Sequence, residues 1–228
     1  MKIIIATIKS WNIDNAKALM DKYGKEHDFL LLTEKDDLSV DKVSEYNPDF
    51  IFFPHWSYFI PEEIFGRWQC VVFHMTDLPF GRGGSPLQNL IVRGIKETCV
   101  SAIKVTKEMD AGPIYMKSPM GLEGSATEIF VRSSNIIFNE MIPEFLNKKL
   151  TPLPQEGEVV EFKRRKKEDG EIKANFDIET IYDYIRMLDA EGYPNAFIPF
   201  GDFCLEFSEA SMGEDGCVEA KVRIRKEK

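Results

Sequence analysis

Histidine is scarce in this chain, with only His27, His55 and His74 among 228 residues, and the four cysteines, Cys70, Cys99, Cys204 and Cys217, are scattered. No C-x-x-C pair or Cys/His spacing suits a metal, so no metal site is expected and the thiols read as reduced core filler. Long hydrophobic runs are missing too. The opening MKIIIATIKSW holds too short an apolar run for a secretory signal, and no segment nears the roughly 20 apolar residues of a membrane span. No membrane partner is expected, and a cytoplasmic location is the default. Positive charge is outnumbered, 29 Lys and Arg against 38 Asp and Glu, for a formal net charge of -9. That balance is a poor footprint for a long nucleic acid, although a local patch could hold one or two phosphates.

What is present is an alternation of strand and helix signals. Lys2 to Ile8 is a β-branched run, Asp14 to Tyr23 is amphipathic, and Asp28 to Glu34 is a second strand. After an acidic, polar connection, Asp49 to Pro54 reads as a third strand, Pro61 opens a short helix, and Cys70 to His74 is the fourth strand. Apolar runs without alternation mean strands covered on both faces, so the fold class is α/β: a Rossmann-like, mainly parallel sheet whose ligands bind beyond the carboxyl ends of its strands. Pro86 to Gly94 suits a helix, Cys99 to Thr106 another strand, and Ala126 to Leu146 a long helix that Pro143 must kink or end. A Pro-containing linker then leads to a helix capped by Asp177 and to short alternating strands. The expected division is residues 1–150 as a catalytic domain and 151–228 as a small C-terminal α+β subdomain.

The ordered set DFIFFPHWSYFIPEEI, FHMTDLPFGRGGSPLQNLI, KETCVSAIKVTKEMDAGPIY, KRRKKEDGEI and IYDYIRMLDAEGYPNAF resembles the formyltransferase family that uses 10-formyltetrahydrofolate. The block from His74 to Leu90 looks closest to bacterial enzymes that formylate nucleotide-linked amino sugars, including the pseudaminic acid pathway type. The resemblance implies that a primary amine attacks the formyl carbon, that an oxyanion forms, and that a proton passes between the attacking nitrogen and the departing folate nitrogen. Such transfers suit a near-neutral acid or base. His74 matches the family's catalytic histidine and Asp110 its aspartate. The bland alternative for His74 is a buried ring bonded to a backbone carbonyl. Where the family has an asparagine two residues before the histidine, this chain has Val72, so the oxyanion needs another donor. His74 itself, a backbone N–H of the glycine-rich loop, Gln88 or Asn89 are the candidates.

For the folate, the resemblance points to Trp56, Ser57, Tyr58, Phe59 and Ile60, with Glu108 and Met109 closing the other side. Lys9 and Trp11, just past the first strand, would meet a phosphate and a base or sugar, and Arg82, Gly83 and Gln88 complete the expected substrate side. The glycines of GRGGSP are out of phase for a dinucleotide fingerprint. The basic run Lys163 to Lys167, flanked by acids, reads as a solvated turn. On these grounds the expected acceptor is a nucleotide-linked (UDP or dTDP) amino sugar, with no nucleic-acid partner; a methionyl-tRNA enzyme would be expected to carry a longer, more basic C-terminal domain. A formyltetrahydrofolate hydrolase, a silent folate-binding module and a methionyl-tRNA-type formyltransferase stand as the other readings, and apolar surface on the C-terminal part could make a homodimer.

Overall fold

A computed structural model describes residues 1–226. In chain order the elements are β1 (Lys2–Ala6), α1 (Ser10–Tyr23), β2 (Asp28–Leu32), α2 (Val40–Tyr46), β3 (Phe50–Phe53), α3 (Glu62–Phe65), β4 (Gln69–His74), β5 (Phe80–Gly83), α4 (Pro86–Ile91), β6 (Glu97–Lys104) and β7 (Ile114–Gly121). Then follow α5 (Ala126–Ile136), α6 (Ile142–Asn147), β8 (Val160–Phe162), α7 (Ile178–Arg186), β9 (Ala196–Phe200), β10 (Phe203–Met212) and β11 (Val218–Lys226). Six strands form one sheet in the order β2-β1-β3-β4-β6-β7. β1 pairs parallel with β2 and β3, β3 parallel with β4, and β4 antiparallel with β6, setting His74 opposite Ser101 and Val71 opposite Lys104. This is the mainly parallel α/β architecture expected from the apolar runs.

Side-chain alternation explains why those runs carry no polar face. Ile51 and Phe53 of β3 pack with Val43, Ile60 and Ile64 on one side. Phe50 and Phe52 turn to the other, where the ring of Phe145 meets them edge-on at 5.6 and 5.1 Å. Each fully buried ring of this kind stabilises the fold by about 1.5–3 kcal/mol, so both layers are needed. The Phe145 layer belongs to the segment holding Pro143. Instead of one long helix, α5 runs into a π-helical turn over Ile137–Met141 and restarts as α6 with Pro143 in its first turn. Proline has no N–H and its ring crowds the carbonyl four residues back, so the wider turn accommodates it without breaking the chain's direction.

Two elements went unread in the sequence. α2 lies in the acidic connection and starts at Ser39, whose hydroxyl accepts from Lys42 N at 3.2 Å; β5 lies inside the glycine-rich stretch and pairs with β8. The chain gathers into two compact units. One comprises Met1–Arg82, Thr98–Met120 and Val131–Glu161; the other comprises Gly83–Glu97, Gly121–Phe130 and Phe162–Lys228. Thus two stretches from the first 150 residues join the unit built on the three-stranded sheet β11-β10-β9. Inside that unit the buried guanidinium of Arg186 ties α7 down, donating to Asp183 Oδ1 at 2.6 Å and to the carbonyls of Leu122 and Gly124 at 2.6 and 2.8 Å.

Candidate active site

His74 is the last residue of β4 and is only 8% exposed. Its Nε2 lies 2.7 Å from the carbonyl of Gly81. A carbonyl only accepts, so Nε2 carries the proton. Thr76 Oγ1 donates to the same carbonyl at 3.4 Å, and Ser101 Oγ donates to Thr76 O at 2.7 Å, so the turn after β4 is pinned to β6. The bland alternative is therefore half present, yet the other ring nitrogen faces a carboxylate: Asp110 Oδ2 stands 3.6 Å from Nδ1. That is longer than a direct hydrogen bond, and catalytic pairs commonly tighten only once substrate is bound.

Asp110 reaches His74 because the chain folds back after β6. Lys104 N donates to Pro113 O at 2.9 Å, and a Cβ on Gly112 would sit 1.7 Å from Lys104 O, so only glycine allows so tight a return. Asp110 itself is left-handed, with φ of 53°, a conformation that costs an ordinary residue about 1 kcal/mol or more and that collects at working sites. Sequence reasoning missed the side chain that holds this turn. Gln155, in the proline-containing linker, donates from Nε2 to the carbonyls of Asp110 and Gly112 at 2.7 and 2.9 Å. Its Oε1 accepts from Arg82 Nε and Nη2 at 3.0 and 2.8 Å. Expected to fork onto substrate, the Arg82 guanidinium here holds an amide of the protein.

The two amides put forward as oxyanion donors are committed elsewhere. Asn89 Nδ2 donates to the carbonyls of Gly84, Ser85 and Lys163 at 3.0, 3.1 and 2.9 Å, and its Oδ1 accepts from Arg93. Gln88, 2% exposed, donates to Met187 O at 3.0 Å. Both tie down buried backbone, where an unmet carbonyl is costly. Gly83 has φ of 106° and a Cβ would lie 2.4 Å from Phe162 O, so its need for glycine is structural. Val72 packs against the core layer under β3 and β4.

The expected folate segment leaves β3 through a clamped residue: Thr7 Oγ1 and Asn12 Nδ2 both donate to Pro54 O, at 2.7 and 3.2 Å. The chain then turns at His55, φ 50°. Trp56 stands edge-on to Phe53 and Tyr58, at 5.9 and 5.4 Å, and its buried Nε1 has no acceptor among the described residues. Phe59 is 80% and Met109 73% exposed, Ser57 and Glu108 are exposed, and Ile60 is core. An unmet indole N–H beside solvent-facing apolar side chains suits a flat heterocycle rich in acceptors. Across the ends of β1 and β3, Lys9 Nζ lies 5.6 Å from the Trp11 ring, which meets His55 edge-on at 5.9 Å. Burial, with the Lys9 charge adding, pushes His55 down to about 4, so it is neutral at pH 7. No helix among the described residues is long and apolar enough to cross a membrane.

Comparison with known proteins gives this geometry a family. Residues 12–128 match the model described as formyl transferase, and residues 160–225 match the C-terminal domain of methionyl-tRNA formyltransferase. A solved methionyl-tRNA formyltransferase from Clostridium thermocellum is 57% identical over 99% of both chains, with a TM-score of 0.97. The methionyl-tRNA formyltransferase of Thermodesulfovibrio yellowstonii is 28% identical over 67% of this chain and 52% of its own length. The chain spans about half the length of the curated relatives it matches. A 4-N formyltransferase from Francisella tularensis covers 96% of both chains at a TM-score of 0.69 but only 15% identity, a likeness of fold alone. These findings overturn the nucleotide-sugar expectation and the exclusion of a nucleic-acid partner, because the relatives with appreciable identity are named for methionyl-tRNA. The family draws its formyl group from 10-formyltetrahydrofolate. With its strand-end histidine, its returning aspartate and a match over residues 12–128, the chain belongs to the formyl transferase family.

Proposed function

We propose that this chain transfers the formyl group of 10-formyltetrahydrofolate to the α-amino group of methionyl-tRNA. The observation that carries the chemistry is the His74–Asp110 pair, held at 3.6 Å by backbone on both sides. The 57% identical relative and the match over residues 160–225 favour the acceptor. The amine nitrogen attacks the formyl carbon, the new C–N bond forms as the carbonyl electrons move to oxygen, and the folate nitrogen leaves with a proton as that oxygen reverts to a carbonyl. His74, whose Nε2–H is engaged by Gly81 O, has Nδ1 beside Asp110 as the atom that takes the proton of the attacking amine and passes it to the folate nitrogen; the imidazolium formed in between, steadied by Asp110, offsets the oxyanion where Val72 brings no side-chain amide. Trp56, Tyr58, Phe59 and Met109 wall the folate, and Lys9 at the start of α1 meets an acceptor phosphate.

The test incubates the full chain with 10-formyltetrahydrofolate and methionyl-tRNA, then measures formylmethionine by mass after hydrolysis of the ester. Formylation of charged but not uncharged tRNA is expected, falling at least ~100-fold in His74→Ala and Asp110→Asn. Donor binding without any formylmethionine would sink the acceptor assignment.

A further inference from the structure

We infer that Gln155 is a positioning residue that sets the Asp110–His74 geometry, with Arg82 fixing which way its amide points. The argument is one of matching donors and acceptors. A guanidinium can only donate and a backbone carbonyl can only accept. Arg82 therefore orients Oε1 toward itself, at 3.0 Å from Nε and 2.8 Å from Nη2, and leaves both amide hydrogens to the carbonyls of Asp110 and Gly112. A flipped amide would set like against like at all four positions. No other uncharged side chain of this length presents one acceptor and two donors in a plane.

The consequence reaches both nitrogens of the imidazole. Arg82 follows Gly81, whose carbonyl takes the Nε2 proton at 2.7 Å, and the other end of the bridge grips the left-handed turn that aims Asp110 at Nδ1. Gln155 thus links the two backbone segments between which the ring is held. Asp110 sits at a left-handed φ of 53°, a minority conformation even for aspartate, and the two amide bonds favour it over the extended one, so their loss is expected to let the carboxylate swing off the ring. This inference rests on the reading of His74 and Asp110 as the catalytic pair, but its geometric content can be measured apart from that reading.

The experiment uses Gln155→Leu, which deletes all four bonds, and Gln155→Glu, which keeps Arg82 and turns two hydrogen bonds into an anion set against carbonyls. Each is made alone and in Asp110→Asn. In crystals of Gln155→Leu the Asp110 carboxylate is expected to leave Nδ1, and kcat for methionyl-tRNA formylation to fall ~10- to 100-fold, as for a reacting group displaced by about 1 Å. KM for the donor changes far less than kcat, because Trp56, Tyr58 and Phe59 of the proposed donor wall are untouched and only Met109 shares the turn. In Asp110→Asn the same substitution costs little further, since the group it positions is already disabled. A crystal in which the turn and the 3.6 Å approach survive overturns the proposal, as does a kcat cost undiminished in Asp110→Asn. A carboxylate that swings away while turnover stays intact would uphold the positioning and refute the catalytic reading of the pair.

Discussion

His74 and His55 stand at the ends of neighbouring regions of one sheet, and their surroundings push them into different work. The His74 ring is held at Nε2 by Gly81 O and faces Asp110 across 3.6 Å at Nδ1. His55, half-buried and beside the Lys9 charge, is pushed down to about 4 from an ordinary 6.5 by desolvation, with the Lys9 charge adding. Between those two values the unfolded chain binds a proton that the folded chain refuses, so stability falls as the pH drops. Its contribution is complete above about pH 6.5 and is lost on the way to pH 4, at most about 3.5 kcal/mol at the usual ~1.4 kcal/mol per unit. His55→Asn removes the titrating group with a residue that tolerates a φ of 50°. Denaturant titrations at pH 7, 5.5 and 4.5 are expected to show a flatter profile for the variant; parallel profiles would mean that His55 does not titrate in this way. Asp110 was legible because a carboxylate before a Gly-Pro turn belongs to an ordered motif. Gln155 was not, since it lies 45 residues further on in a linker whose amide gains meaning only from what it touches. Asn89 misled for the same reason: an amide in a glycine-rich block looks available until three carbonyls claim it.

At the scale of elements, buried strands announce themselves and short pieces near the site do not. The runs at β1, β3 and β4 could be read because both faces of each strand need apolar cover. α2 is polar over most of its length and β5 is mostly glycine and arginine, so neither carries a periodic signal. α1 begins at Ser10 rather than at Asp14, and its first turn escapes the amphipathic pattern because Trp11 stands edge-on to His55 and Asn12 donates to Pro54 O. α7 shows what holds an element once its pattern has placed it. Asp177 caps it through Thr180 N at 2.8 Å, as the sequence suggested, but the larger constraint is Arg186, 4% exposed and bound to Asp183 and two carbonyls. Arg186→Leu strands those partners, and losing one side of such a buried cluster costs on the order of 3–5 kcal/mol. Thermal unfolding should register it as a large drop in midpoint, whereas Arg186→Lys, retaining charge but losing the fork, falls between. A variant as stable as the parent would show that solvent reaches this site.

For the whole molecule, chemistry was easier to read than the acceptor. The proposed formyl-transfer site is local and its residue types follow from the reaction, but the exclusion of nucleic acid rested largely on a net charge of -9 summed over the chain. Phosphate binding depends on where charge sits, not on its total. In Lys163–Lys167 the side chains of Lys163, Arg164, Lys166 and Lys167 are exposed, while Arg165 is held over Tyr184 and by Asp169 O. Gly84 lets the backbone pass under this run, since a Cβ there would lie 2.7 Å from Arg164 Cβ. If methionyl-tRNA is the acceptor, as proposed, this exposed run is where an acidic protein would meet phosphates, through a few ion pairs against a repulsive background. Binding should then be weak, with a modest salt dependence set by those few ion pairs, the slope of log K against log salt changing by about one for each phosphate the protein no longer neutralises. Lys163→Glu with Arg164→Glu is expected to raise KM for methionyl-tRNA about tenfold or more and to reduce that slope, leaving KM for 10-formyltetrahydrofolate alone. Because neither residue touches the His74–Asp110 pair, kcat at saturating tRNA should hold. Should KM and salt slope both stay at parental values, the run is the solvated turn its flanking acids first suggested, and the tRNA must be held by another surface.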